Sequence, residues 1–453
     1  MSKNLCSILI AFAFIFFSLP AQAEKVLDVQ ELETESGIKL WLVEDHNVPV
    51  ISMNFSFPGG LAMDPEGKTG LAYMLSIMLD EGAGDLDSQA FQKELADNSI
   101  SMGFSAGRDH FTGGIKTLTR NQDKAAELLG LALSQPRFDQ DAFDRMQSST
   151  EATIRQNLTS PNWIAARSFN GLMFEGDPYA LPGQGTLQTL ANMTPDDLRA
   201  FAKDQFVKDG LKIAIAGDIT AESAKVFVER IFSPLADASD IKTPEKDAEF
   251  KNQGQSFLYE FDNPQTHIIV GHKGIPVQDE DWPAAQIINY ALGGGGFDSR
   301  LMEEIREKKG LTYGVSSYMS DMARAPSIQA SLSASNDNAA EAIALLEKEW
   351  QRMATTGPTE AEIKNAQDYL TGSLVLALTS TDAISGALNG LQQNGFDADY
   401  INRRNDRLRN VSADQARVVA GRLLDPERLM IITVGNPTGF QPDQKLETIP
   451  GIE

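Results

Sequence analysis

Two stretches of the chain repeat one scheme of apolar and polar positions. In residues 193–220 a helix opened by Thr194, Asp196 and Asp197 leads into the apolar strand 211–220, which Gly217 ends. In residues 411–438 a helix opened by Ser412, Asp414 and Gln415 leads into the apolar strand 429–438, which Gly435 ends. Leu, Ile, Gly and Thr fall at matching places in the two strands, 218 residues apart. In both, a hydroxyl side chain can cap the helix, and glycine relieves the backbone where the strand stops. A spacing of about half the chain points to a duplicated unit.

The openings of the two units follow the same logic. Residues 40–43 and 50–57 read as strands followed by a helix over 70–79. Residues 256–261 and 267–271 read as strands followed by a helix that Asp281 and Pro283 start and the glycines 293–296 end. Between them, residues 236–255 are polar, charged and nearly free of large apolar side chains, as a linker would be. Long helices alternating with strands predict an α/β or α+β layer in each half. The domains expected are residues 24–235 and 256–453, joined by 236–255.

The start of the chain has a separate pattern. Lys3 precedes an uncharged apolar run over residues 5–19, and Ala21-Gln22-Ala23 offers small residues for cleavage. This is the layout of an export signal cut after Ala23, and it predicts a periplasmic protein with no membrane anchor once residues 1–23 are removed. Cys6, the only cysteine of the 453 residues, lies inside that signal, so the remainder has neither a disulfide nor a thiolate ligand. The formal charge is −24, and removal of Lys3 with the signal makes it one unit more negative. Such acidity repels nucleic acid and anionic membrane surfaces, while leaving solubility or basic peptides as its use.

Several motifs occur in a telling order. Val43-Glu44-Asp45-His46 with Pro49-Val50 precedes a strand, and Gly67-Lys68-Thr69-Gly70-Leu71-Ala72 opens the helix that follows. In the second half come Ser299-Arg300-Leu301 and then the run from Arg306 through Gly310-Leu311-Thr312-Tyr313-Gly314-Val315. This order resembles the pitrilysin/insulinase family of zinc metallopeptidases over nearly the whole exported chain. The resemblance implies two homologous sandwich domains, each a largely antiparallel sheet covered by helices, closing as a clamshell around a peptide-sized chamber.

Active members of that family carry H-x-x-E-H on the helix after Gly-Leu-Ala, two histidines one turn apart for zinc and a glutamate for the metal-bound water. Here those positions are Tyr73, Ser76 and Ile77. A neutral phenol binds zinc poorly, a serine is no general base near neutral pH, and isoleucine has no donor atom. Residues 143–156, where the family's third ligand falls, contain Glu151 alone as a carboxylate after Asp144. The four histidines, His46, His110, His267 and His272, are scattered, and His46 and His110 read as turn or strand-edge residues. The expectation is therefore a degenerate zinc motif, no metal or other cofactor in this chain, and a helix whose Leu71, Met74, Leu75, Met78 and Leu79 serve the core.

Two further segments imitate phosphate cradles. Gly293 to Gly296 ends a helix instead of opening one, and residues 62–69 would set Asp64 and Glu66 against the phosphates they should attract. By resemblance, the glycine run is a flexible loop beside the substrate cleft.

Arg306 and Tyr313, seven residues apart, match the family's pair that binds the substrate carbonyl as it becomes tetrahedral. Lys308 and Lys309 suit a helix end, Gly310 a left-handed cap, and Tyr313 the start of the next strand. A cation and a phenol held together can stabilise charge developing on oxygen; without the resemblance, the two would read as a surface arginine and a packed tyrosine. The function expected is that of a non-zinc subunit of a heteromeric metallopeptidase, lending Arg306 and Tyr313 to a zinc-bearing partner of the same family that acts on peptides. A catalytically inactive scaffold or peptide-binding protein is the alternative.

Overall fold

The computed structural model describes residues 25–239 and 246–452. The export signal and its cleavage site, and residues 240–245 of the expected linker, lie outside the described residues.

Two six-stranded sheets dominate. The first contains β1 (Gln30–Glu33), β2 (Lys39–Glu44), β3 (Val50–Pro58), then, after the short hairpin β4 (Gly82–Ala83) and β5 (Leu86–Asp87), β6 (Ser101–Ala106), β7 (His110–Leu118) and β8 (Lys212–Gly217). Its spatial order is β1-β2-β8-β3-β7-β6. The second contains β9 (Ser256–Glu260), β10 (Gln265–Lys273), β11 (Thr312–Ser320), β12 (Ser327–Ser335), β13 (Met430–Gly435) and β14 (Gln444–Lys445). Read from the other edge, its order is β14-β9-β13-β10-β12-β11, so strand answers strand across the halves. The pairs β2·β8, β9·β13 and β9·β14 are parallel and the rest antiparallel. The edge position that the first half fills with its leading strand β1 is filled in the second half by β14, from the end of the chain.

Helices of the first half are α1 (Leu71–Met78), α2 (Ser88–Asp97), α3 (Gln122–Ser134), α4 (Gln140–Asn157), α5 (Pro161–Met173), α6 (Leu187–Ala191), α7 (Pro195–Gln205) and α8 (Ala221–Phe232). Those of the second are α9 (Trp282–Asn289), α10 (Ala339–Thr356), α11 (Glu360–Ala377), α12 (Thr381–Gln393), α13 (Tyr400–Arg409) and α14 (Ala413–Leu423). The repeated helix–strand units are α7 with β8 and α14 with β13. Thr194 caps α7 through the backbone N–H of Asp197, whose side chain accepts from Thr194 in return. Ser412 caps α14 through the N–H of Gln415. Gly217 and Gly435 end their strands at φ 134° and 150°, and a Cβ on Gly217 would lie 2.1 Å from the Val50 carbonyl oxygen.

Each sheet is a filled sandwich. On one face of the first sheet, Met53, Phe55 and Phe57 meet α1, α3 and α8 in a continuous apolar core. The corresponding core of the second sheet gathers Ile268, Val270 and Leu332 with α9, α10 and α14. The opposite faces are covered by exchange. Helix α12 of the second half packs Ile384 and Leu388 on Trp41, Val43, Ala214 and Ala216 of the first sheet. Helix α5 of the first half packs Ile164 and Phe169 on Phe257, Ile432 and Val434 of the second.

Polar ties reinforce the exchange. Ser52 donates to Asp382 at 2.6 Å, Asn54 to Ser385 at 2.7 Å, and Gln392 to the Ile213 carbonyl at 3.1 Å. On the other side, the buried Arg324 forks onto Asp177 at 2.9 and 3.1 Å and lies 4.5 Å over the Tyr179 ring. These are the features of a mixed α/β, antiparallel-rich, two-domain clamshell.

Candidate functional site

The first-half motif sits on α1, at the edge of the sheet beside β6. Its N-cap, Gly70, takes the left-handed conformation at φ 95°, and the Asp64 carboxylate fills the helix N-terminus. One Asp64 oxygen accepts from the Gly70 N–H at 2.6 Å and the other from the Ala72 N–H at 2.8 Å. Burial pushes this carboxyl up to about 7, against the two N–H groups and Arg108, which favour the anion. The segment that imitates a phosphate cradle thus has its own carboxyl group where a phosphate would lie.

None of the three motif positions offers a ligand set. Ser76 is buried and donates its hydroxyl to the Tyr73 carbonyl at 2.7 Å, while Tyr73 and Ile77 are half-buried, Ile77 against the apolar core. Leu71, Met74, Leu75, Met78 and Leu79 are all at most 2% exposed, so α1 is a core helix. From α4 it is Thr150 that reaches α1, donating to the Met74 sulfur at 3.6 Å, whereas Glu151 is ion-paired to Arg155 at 2.6 Å. The zinc that the family's fold implies therefore does not fit these residues. Among the described residues no group of three or more His, Cys, Asp or Glu side chains is arranged to hold a metal.

The histidines have other partners. His46, exposed in the turn after β2, lies between Asp218 (2.7 Å) and Glu44 (3.3 Å), and those hydrogen bonds raise its pKa. His110 opens β7, and desolvation lowers its pKa. His272 is buried with its Nε2 accepting from the Trp350 Nε1–H at 3.1 Å, and His267 faces Ser333 at 2.8 Å.

The second-half motif is built differently. Where sequence periodicity predicts ordinary helix, α9 runs on as a π-helix over Tyr290–Gly294, and a second π-helical segment spans Met302–Glu307. The glycine run explains the first. A Cβ at Gly293 would lie 2.6 Å from the Ser317 backbone N, and one at Gly295 would lie 2.8 Å from the Tyr290 ring and carbonyl. Glycine at 293 and 295 lets the chain approach β11 and Tyr290 more closely than a side chain would permit. Wide π turns are a recurrent mark of functional sites.

Arg306 lies on the second π segment, with its guanidinium 4.5 Å over the ring of Phe297. Its basic neighbours all have carboxylates: Arg300 binds Glu362 at 2.6 Å, Lys308 binds Glu303 and Glu304, and Lys309 binds Glu341. Among the described residues Arg306 alone of these four has no ion pair. Gly310, at φ 65°, then turns the chain into β11. There the pairing with β12 slips between Thr312 and Val315, and Tyr313 stands at this irregularity with 87% of its surface exposed. A bulge of this kind re-aims a side chain out of the ladder.

The structure therefore places Arg306 and Tyr313 in one loop-and-strand unit, and Tyr73, Ser76 and Ile77 on the core helix of the other half, Ser76 buried and the other two half-buried. Sequence reasoning missed Phe297, which holds Arg306. The available signal was a large aromatic residue directly after four glycines, a place where packing does not require one.

Known proteins resemble this chain in sequence and fold. Residues 192–370 match the family described as Peptidase M16 inactive domain. The chain is 25% identical over 395 residues to a Helicobacter pylori protein named Non-peptidase homolog YmxG, covering 86% of this chain and 87% of that one. It is 21% identical over 358 residues to a Bacillus subtilis protein named Uncharacterized zinc protease YmxG, covering 78% and 86% respectively. Subunit 1 of the bovine mitochondrial cytochrome b-c1 complex is 19% identical over 373 residues, covering 80% of this chain and 77% of that one. In fold, the crystal structure of a peptidase M16 inactive domain from Pseudomonas fluorescens superposes with a TM-score of 0.86 at 24% identity, covering 92% of this chain and all of that one.

Proposed function

We propose that this chain, which fits the pitrilysin/insulinase (M16) family as an inactive member, serves as the non-zinc subunit of a heteromeric peptidase. It would be exported to the periplasm and would pair with a homologous subunit that carries the zinc motif. The observation that carries this reading is the state of Arg306 and Tyr313. In a chain with 63 acidic residues, an arginine without an ion pair among the described residues, followed seven positions later by a tyrosine that is 87% exposed, supplies two donors not committed to a carboxylate. Arg306 rests only on the exposed Phe297 ring and Tyr313 stands out from its strand, and both are suited to a peptide carbonyl that gains negative charge.

Zinc, when bound in the partner, would supply the activated water. This chain's part would be to bind and orient the peptide: Arg306 through a charged hydrogen bond, Tyr313 through its phenolic O–H. Phe297 would keep the guanidinium extended over its ring until substrate displaces it.

The test is reconstitution with a zinc-bearing homologue, with kcat and KM measured separately. Tyr313→Phe should lower turnover on the order of 100-fold, the scale for removing one oxyanion donor, without loss of association. Arg306→Ala should also raise KM. Wild-type rates from both variants, in a complex shown to contain them, would make the pair structural. A purely scaffolding or peptide-binding role would then be the better reading, a role favoured by the relative named as a subunit of the cytochrome b-c1 complex and by the one named a non-peptidase homolog.

A further inference from the structure

Where α12 ends, a cavity of about 530 Å³ opens between the two halves, over the starts of the neighbouring strands β2 and β8. At the other end of α12, Asp382 meets Lys116 beside β6 and β7, so the cavity is separate from the faces next to the edge strands. Trp41 and Val43 of β2 and Ala214 and Ala216 of β8 point to the face that α12 covers. Side chains alternate along a strand, so Lys39 and Lys212, each two positions earlier, point the same way. Trp41 pairs with Ala214, and this register sets the two lysines opposite each other.

Like charges directly opposite in a sheet repel and weaken it. The chain has 63 acidic and 39 basic residues, yet neither ammonium forms an ion pair among the described residues. Glu33 stands opposite Lys39 on β1 without pairing to it, whereas Lys208, on the same cavity wall, is taken by Asp237 at 2.6 Å. Trp41 adds a third donor. It lines the cavity at 8% exposure, and its indole N–H has no protein acceptor among the described residues. A donor on so buried a side chain ordinarily has one. The second half contributes the half-buried ring of Phe396, stacked on Tyr400 with 3.8 Å between centroids.

We propose that this cavity binds a small organic dianion, a phosphate monoester or a dicarboxylate, with its apolar body against Trp41 and Phe396. Two ammonium groups side by side match two negative charges, and the indole N–H offers a further hydrogen bond to an anionic oxygen. A neutral ligand would leave the repulsion between the lysines in place. Asp209 and Asp237, exposed on the cavity wall, keep the ligand small, because a longer polyanion reaching past the lysines would meet them. The volume lies within the usual range of small-molecule sites, roughly 300–1,000 Å³, and the boundary between two domains is a common place for one. Because both halves line the cavity, a bound dianion would tie the end of α12 to the first sheet.

The test is calorimetry and thermal melting of the whole chain from Glu24 onward with phenyl phosphate and phthalate as the dianions. Inorganic phosphate, benzyl alcohol and benzylamine serve as bare-ion, neutral and cationic comparisons. At low salt at least one of the two aromatic dianions should bind with a Kd of about 1 mM or tighter and raise the melting temperature, and the tighter of the two identifies the oxyanion. Affinity should fall several-fold as salt is raised roughly tenfold. Lys39→Gln and Lys212→Gln should each weaken binding about tenfold without lowering the melting temperature of the free protein, since each removes a repulsion. Trp41→Phe keeps a ring, removes the N–H and should weaken binding about threefold or more. The two lysines are exposed, so their variants keep the readout should the tryptophan variant fail to fold. Absence of binding by either dianion at about 20 mM would overturn the proposal. Equal affinity for inorganic phosphate, an adventitious ion only, would overturn it as well, as would tighter binding of the neutral or cationic compound or affinities unmoved by both lysine variants. None of the substituted residues is Arg306 or Tyr313, so the outcome is separate from that of the subunit reading.

Discussion

Helix α1 in the first half and the π-wound extension of α9 in the second stand at corresponding places, each beside the edge strand of its sheet. The first is closed. Its apolar side chains are in the core, its N-terminus is occupied by Asp64, and Ser76 is turned back on its own helix. The second is open. Its π turn ends in a run of glycines, a bulge turns Tyr313 outward, and Phe297 remains 61% exposed beneath Arg306. One scaffold thus holds an inert edge and a presenting edge. The difference lies in side chains at a few positions, because the backbone frame of both edges is set by the same strand order. Stability explains the closed edge completely, whereas the open edge exposes large aromatic surface that folding alone would bury.

The largest effect should come from breaking the frame that the two edges share. Arg324→Ala leaves Asp177 without its partner between the halves, and urea denaturation should show a loss on the order of 3–5 kcal/mol. A loss under about 1 kcal/mol, as for a surface pair, would mean that the halves are not held by this tie.

Next come changes that treat the closed edge as though it were open. Ser76→Glu puts the family's catalytic residue type into a core position that is 5% exposed, and should cost on the order of 2–4 kcal/mol. Tolerance of this substitution would show that α1 retains room for a site.

The Asp64 carboxyl supplies a pH test of the same edge. Its pKa in the fold, about 7, lies above the ordinary 3.8, so the folded chain binds a proton that the unfolded chain releases. Stability from this group is present below the ordinary value and is lost as pH rises from about 4 through about 7. The loss should be on the order of 1–3 kcal/mol, and Asp64→Asn should flatten that part of the stability profile. An Asp64→Asn profile that falls as steeply as the wild type would assign the effect to another group.

At the open edge the same denaturation experiment should register almost nothing. Tyr313→Phe and Arg306→Gln should each stay within about 0.5 kcal/mol of wild type, since Tyr313 is exposed and Arg306 touches only the exposed ring of Phe297. A larger loss would turn the presenting edge into a structural one. Smallest of all is the expected response to metal: after dialysis the protein should hold far less than one zinc per chain by elemental analysis. Stoichiometric zinc lost on substitution of His46 or His110 would reverse the reading of both edges.

Much of this was legible in the chain itself. The caps at Thr194 and Ser412, the glycines that end β8 and β13, and the alternation of strand and helix are local features, and local sterics and hydrogen bonding determine them. The loss of the zinc motif is equally local, because a neutral phenol, a serine hydroxyl and an isoleucine cannot replace two imidazoles and a carboxylate whatever surrounds them. The Arg306/Tyr313 motif could be located from sequence, but its presentation could not.

Tertiary structure alone decided what covers what. An apolar stripe on α12 or α5 states that the helix must be buried, without naming the sheet, and each proved to bury against the sheet of the other half. For the same reason the vacant edge of the second sheet went to β14, from the far end of the chain, since an open edge accepts any strand of compatible register. The isolation of Arg306 is a matter of distance: with 63 carboxyl-bearing residues in the chain, only the packed fold could leave this guanidinium with a phenylalanine ring in place of an acid.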